Sequence, residues 1–144
     1  MQNEKVLSDI LRNQYFAVLS SIGDAKPYTN LISFAVTGDL KKNLFLTDRK
    51  TRKYRNITSN ADVSMLIDNR TNSYSDITTA FAVTVTGTAE EAEGANSTLK
   101  DLFLARHPGL KNFCNQPDTA MIVVNVQEYI IAGFTGSQKI SMGL

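Results

Sequence analysis

Leu44-Phe45-Leu46-Thr47-Asp48-Arg49-Lys50-Thr51-Arg52-Lys53 carries an apolar, strand-like run straight into a segment of hydroxyls and cations. The change of pattern marks a strand end meeting a helix start, and the spacing predicts a short helix over 51–59. Asp48 or Thr51 suits its N-cap, because either side chain can accept from the free backbone N–H groups of a first turn. A helix N-terminus offers those N–H groups together with a partial positive charge, which favours a phosphate. Thr47 and Thr51 add hydroxyl donors, Arg52 a planar fork and Lys53 a point charge. Two plainer readings stay open: a basic helix that is merely solvated, and a nucleic-acid contact. The second is weakened by the absence of Trp and of a second basic stripe.

Outward from this junction the chain reads as short strands with tight turns. Upstream lie a β-like run over 28–36, closing on Thr37-Gly38-Asp39, and another over 15–20, closing on Gly23-Asp24. Residues 3–12 form an amphipathic helix with Val6, Leu7, Ile10 and Leu11 on one face. Downstream, a strand over 62–68 places Val63, Met65 and Ile67 together, and Phe81, Val83, Val85 and Gly87 alternate with Ala82, Thr84, Thr86 and Thr88. The stretch between them, 69–76, is too hydrophilic for a core strand. Leu99, Leu102, Phe103 and Arg106 give a helix over 94–106 that His107-Pro108-Gly109 stops, and β runs at 119–126 and 129–135 complete the chain. With no repeat or linker, 1–144 is expected to be one domain. The fold class expected is mostly β with α: an antiparallel barrel of about six or seven strands with peripheral helices, since closure removes exposed edges.

Composition bounds the function. The chain of 144 residues carries 15 Lys and Arg against 14 Asp and Glu, a net charge of +1, yet five of its cations lie between 49 and 55. Such concentration in a balanced protein points to an anion to be held. The single cysteine, Cys114, excludes an internal disulfide and a cysteine metal cluster, and no metal-ligand spacing or carboxylate pair appears. No apolar run approaches the roughly 18 residues of a membrane span, and the first residues lack a signal-peptide layout. A cytoplasmic protein with no membrane or nucleic-acid partner is the expectation.

From 27 to 67 the sequence resembles the FMN-binding split barrels of the pyridoxamine 5′-phosphate oxidase superfamily. The residues that carry the resemblance are Pro27-Tyr28-Thr29-Asn30-Leu31-Ile32, then Phe45-Leu46-Thr47, then Thr51-Arg52-Lys53 with Ile57 one turn on. Asn60-Ala61-Asp62-Val63-Ser64-Met65-Leu66 and Thr86-Gly87-Thr88-Ala89-Glu90 continue the order of elements. The resemblance implies FMN as cofactor, with Thr29, Asn30, Leu31 and Ile32 along the flavin ring and Thr47, Asp48, Thr51, Arg52 and Lys53 about its phosphate. It also implies a homodimer with the flavin at the interface, where Asn69 and Arg70 lie near the partner's flavin, and a split form of the barrel. The departures bear on the reaction. The true oxidase has an Arg where this chain has Asn30 and a Lys where it has Ala35, and the C-terminal Gly133-Phe134-Thr135-Gly136-Ser137-Gln138 lacks the family's substrate-binding Arg/His segment. The resemblance is therefore to a relative of the vitamin B6 enzyme, acting on a small molecule of unknown identity.

The remaining chemistry-bearing residues have ordinary readings. His107 is expected to meet the C-terminal dipole of its helix, Cys114 to be a half-buried thiol, and Tyr74 and Asp76 to belong to a solvated loop. The sequence names no catalytic acid or base. An FMN-dependent oxidoreductase that transfers hydride at the flavin is the leading expectation. A non-catalytic carrier or sensor, or a barrel holding deazaflavin or haem instead, is the alternative.

Overall fold

The computed structural model describes residues 2–93 and 97–142. Its eight strands are β1 (Phe16–Gly23), β2 (Lys26–Ser33), β3 (Ala35–Val36), β4 (Lys42–Asp48), β5 (Asp62–Asp68), β6 (Ala82–Glu91), β7 (Thr119–Gly133) and β8 (Gly136–Ser141). They form one antiparallel sheet in the order β2-β1-β5-β6-β7-β4-β3, with β8 added to the second half of β7. The two ends of that order, β2 and β3, are consecutive in the chain, so the sheet curls until β2 packs against β4 across the opening. This is the split barrel. The helices are α1 (Gln2–Asn13), α2 (Arg52–Ser59), α3 (Asp76–Thr79), α4 (Ser97–Arg106) and α5 (Lys111–Cys114), with a 3₁₀ turn over Pro108–Leu110.

Alternation on the strands sends one set of side chains into the curl. Leu19, Phe45, Met65, Ile67, Val83, Val85, Ile122 and Val124 share this core, and α1 adds Leu7, Ile10 and Leu11 while α2 adds Ile57. A second core lies outside the curl, where Phe103 of α4 meets Leu44, Met121 and Val123 of β4 and β7. The first half of β7 is therefore buried on both faces, which accounts for its unbroken apolar run over 120–124.

Three expectations need correction. The β runs at 119–126 and 129–135 are a single strand, β7. Thr86 pairs with Glu128 and Gly87 with Val126, so Gln127 is an extra residue in a bulge that interrupts the alternation without ending the strand. A Cβ on Gly87 would clash with the Asn125 carbonyl oxygen, so the glycine is what lets β6 approach this irregular stretch. The run at 28–36 is broken at Phe34 into β2 and β3, because the chain leaves one edge of the sheet there and joins the other. Finally, β8, α3 and α5 were not anticipated. Of the helix expected over 94–106, residues 97–106 are helical and 94–96 lie outside the described residues.

Candidate functional site

At the opening between β2 and β4 lies a cavity of about 270 Å³, floored by Leu31, Ile32, Ser33, Leu46, Thr47 and Asp48. Its polar end is closed by Thr51 and Lys53 of the α2 start, its apolar end by Phe103, Leu110 and Phe113 of the α4–α5 segment. Thr51 is the N-cap: its backbone is extended and its Oγ1 accepts from the Tyr54 N–H at 3.3 Å. Asp48, the other candidate, instead accepts from the Lys50 N–H at 2.8 Å and so shapes the turn before the helix. The Thr47 and Thr51 hydroxyls are 2.7 Å apart and both reach the Asp48 carbonyl oxygen, at 3.1 and 2.9 Å. Thr47 is almost wholly buried.

The electrostatics of this corner are unbalanced. α2 has no acidic residue in its first turn, and its first two residues are the cations Arg52 and Lys53, at the wrong end of the helix dipole. Lys53 has no hydrogen-bond or ion-pair partner among the described residues, and burial pushes its amine below the usual lysine range. The Arg52 guanidinium stacks on the Tyr28 ring, 4.3 Å from its centroid. On β2, the Asn30 Oδ1 is buried with no partner. The unpaired Lys53 amine and the free N–H groups of the α2 start together describe a place suited to an anion that arrives from outside.

The five clustered cations do not converge. Arg49 turns the other way, pairing with Glu91 of β6 at 2.6 Å and donating to the Pro117 carbonyl at 2.9 Å. Lys50 pairs with Asp118 at 3.3 Å, and Arg55 donates to the Lys50 carbonyl at 3.0 Å. Only Arg52 and Lys53 remain for a ligand.

Of the residues expected at the site, the fold brings Leu31, Ile32, Thr47, Asp48, Thr51 and Lys53 to one cavity, with Arg52 beside it. Thr29 is exposed on β2, and neither it nor Asn30 lines the cavity. Asn69 and Arg70 are not in this cavity. They sit at the end of β5, where Asn69 accepts from the Phe81 N–H at 2.8 Å and Arg70 pairs with Asp68 at 3.0 Å. Asp76 orders the loop that follows by accepting from the Thr71 and Ser73 N–H groups at 2.9 and 3.1 Å. Neither Leu110 nor Phe113 was singled out beforehand, since their short helical turns leave no periodicity to read. His107 contributes there as a latch: Nε2 donates to the Phe34 carbonyl at 2.7 Å, tying the α4–α5 wall to the bend after β2. It does so from the C-terminal end of α4, the position expected of it, with its ring bonded to Phe34. Cys114 is buried, and no group of three or more His, Cys, Asp or Glu among the described residues could hold a metal.

A barrel split between β2 and β4, with a hydroxyl-rich strand end running into Thr-Arg-Lys at a helix start, is the layout the sequence resembled. The family model for pyridoxamine 5′-phosphate oxidase matches residues 4–131. The chain belongs to this family. No curated protein matches it in sequence. Among solved structures it is similar to the protein Atu2129, of unknown function, from Agrobacterium tumefaciens, with a TM-score of 0.83 at 21% identity, over 99% of this chain and 59% of that one. A heme binding protein from Mycobacterium smegmatis gives 0.79 at 16% identity over 89% and 53%, and a FAD-binding protein from Mesorhizobium loti 0.69 at 13% over 93% and 92%. The chain thus spans little more than half the length of the first two. At these identities the likeness is one of fold, and the structures of this fold include both a heme binding and a FAD-binding protein.

Proposed function

We propose that this family member is a homodimeric FMN-binding flavoprotein, an oxidoreductase acting on a small molecule. The observation that carries the reading is Lys53: a half-buried cation, unpaired among the described residues, at the capped N-terminus of α2, facing a cavity whose other end is apolar. FMN has the matching polarity, a phosphate at one end and a planar ring at the other. Thr47, Thr51 and Lys53 would hold the phosphate together with the N–H groups that open α2, and Arg52 would add its charge from the rim. Leu31, Ile32, Leu46, Phe103 and Phe113 would flank the ring and exclude water. Asn30, next to the lining residue Leu31 but not itself in the cavity wall, would reach a ring N–H with its unpartnered Oδ1 only if the bound ring extends past the cavity. When bound, FMN supplies hydride chemistry that no side chain of this protein can perform.

The homodimer reading is supported by what one chain leaves open. The cavity of about 270 Å³ falls below the roughly 300–1,000 Å³ of an enclosing ligand pocket. Its rim residue Leu31 is 63% exposed and continues an outward apolar band across the sheet. Leu31 and Leu66 both pair with Val18, and Phe16, two residues away on β1, is 57% exposed. A second copy on this face would cover the band and complete the site, and only across such a dimer would Asn69 and Arg70 approach a flavin.

A non-catalytic flavin carrier or sensor is the second reading, favoured by the apolar end of the cavity, where no titratable side chain lines the wall. Heme is disfavoured because the one histidine, His107, is committed to Phe34. Titration of the purified protein with FMN, riboflavin and hemin, followed by sedimentation velocity, tests the proposal. Expected are a flavin spectrum, FMN bound more tightly than riboflavin, and a dimer. Equal affinity for FMN and riboflavin, or a hemin Soret band at lower ligand concentration, would refute the phosphate assignment. A monomer holding FMN just as tightly would refute the shared site. Repeated reduction by NAD(P)H and reoxidation would separate enzyme from carrier. The only cysteine being a free thiol fits a cytoplasmic location, which cell fractionation checks.

A further inference from the structure

Behind the phosphate corner, on the side away from the cavity, one carboxylate ties together the two segments that form it. Glu91 is the last residue of β6. Its Oε2 accepts from Arg49 Nη2 at 2.6 Å, and its Oε1 accepts from the Tyr54 hydroxyl at 2.6 Å and from Arg49 Nε at 3.3 Å. Arg49 is in the turn that follows Thr47 and Asp48; Tyr54 is in the first turn of α2, next to Lys53. The clasp therefore brackets Thr51 and Lys53, begins two residues after Thr47, and is anchored to a central strand. Arg49 extends it, its backbone N–H reaching the Asp118 carbonyl at 2.9 Å and its Nη1 the Pro117 carbonyl at 2.9 Å. The hydrogen bonds from Arg49 hold the Glu91 carboxyl below its ordinary range, and the bond to Glu91 raises the Tyr54 phenol.

We infer that Glu91 is a positioning residue for phosphate binding: through Arg49 and Tyr54 it fixes the turn and the first turn of α2 so that Thr47, Thr51 and Lys53 point into one cavity. It touches no ligand itself. The inference rests on the phosphate assignment above and adds to it a prediction whose sign plain electrostatics gets wrong. Glu91 is a negative charge close to an anion site, so charge alone says that removing it strengthens anion binding. Positioning says the opposite, because a released Arg49 and Tyr54 let the two halves of the corner drift, and small misplacements of a preorganised site are costly.

The test compares FMN with riboflavin, which lacks the phosphate, on the full chain, its Glu91→Gln variant and a milder Tyr54→Phe variant that keeps the Arg49 pair. For Glu91→Gln the FMN Kd is expected to rise about tenfold, the size of one charge-assisted hydrogen bond, while the riboflavin Kd is unchanged. For Tyr54→Phe a smaller rise in the FMN Kd alone is expected. FMN binding by Glu91→Gln as tight as or tighter than that of the unaltered chain would overturn the inference, and so would a parallel loss of FMN and riboflavin, which marks general unfolding. Failure of the underlying assignment shows separately, on the unaltered chain, as no preference for FMN over riboflavin.

Discussion

The two ends of β4 handle polar groups in opposite ways. At its start, buried Asn43 donates from Nδ2 to the Tyr129 hydroxyl at 3.2 Å, and that hydroxyl donates in turn to the Leu40 carbonyl at 2.6 Å. The chain closes this end with its own groups, although the Asn43 Oδ1 has no partner among the described residues. At its other end, Thr47 and Asp48 lead into a corner with a lysine unpaired among the described residues and the first N–H groups of α2, which have no partner inside the helix. Asn43 and Tyr129 are fully buried and so is Thr47, so burial of the strand residues alone does not distinguish the ends. What does is whether donors and charges find partners within the fold. The start of β4 is a pin, and its end is a site.

The largest test of that contrast is to strip the cations from the open end. Arg52→Ala combined with Lys53→Ala is expected to weaken FMN binding by about 3 kcal/mol, roughly 100-fold in Kd, with thermal stability hardly changed. Fluorescence titration and a melting curve read both quantities. Lys53→Ala alone should carry most of the loss, since Arg52 is exposed and already stacked on Tyr28. An unchanged Kd would abolish the difference between the two ends.

The reverse result is expected at the closed end. Tyr129→Phe removes a hydroxyl that both donates and accepts, stranding the Leu40 carbonyl and the Asn43 amide in the interior. A cost of about 1–3 kcal/mol of folding stability follows, with the FMN Kd unmoved. Urea denaturation followed by titration in buffer checks it, and a change in Kd as large as the change in stability would show that the two ends are coupled through β4.

Much of this arrangement was legible in the sequence, and the illegible part has a physical cause. Strand β5 and the alternation in β6 could be read because each has one face in the core and one outside, which writes period two into the sequence. β7 read as two runs because the bulged Gln127 inserts one residue and flips the phase. β8 escaped because Gly136-Ser137-Gln138-Lys139-Ile140-Ser141 is an edge strand largely exposed to water, so little of it needs to be apolar. At the site, the hydroxyls and cations could be read as types, and their directions could not. Arg49 and Lys53 are four positions apart in the chain, yet the non-helical turn over 48–51 sends one to Glu91 and the other to the cavity. Glu91 itself comes from 42 residues downstream, a pairing that only the sheet order creates.

The smallest effect, and the one that sets the two ends against each other in a single experiment, is on pH. Burial lowers the Lys53 amine from its ordinary 10.5, so between its folded value and 10.5 the unfolded chain binds more protons. Stability from this group therefore rises with pH across that window, as the cost of a buried charge is relieved. FMN affinity has the opposite slope there, because only the charged amine pairs with phosphate and bound phosphate favours the charged form. Tyr129 pulls stability the other way: burial pushes its phenol from 10 up to about 12, so the unfolded chain releases its proton first and stability falls as pH rises above 10. Lys53→Met should flatten the affinity slope and leave the alkaline loss of stability in place, whereas Tyr129→Phe should reduce that loss and leave the affinity slope. Paired titrations and urea melts, from neutral pH to about 12, separate the two. If either variant removes both slopes, the open and closed ends of β4 are not independent.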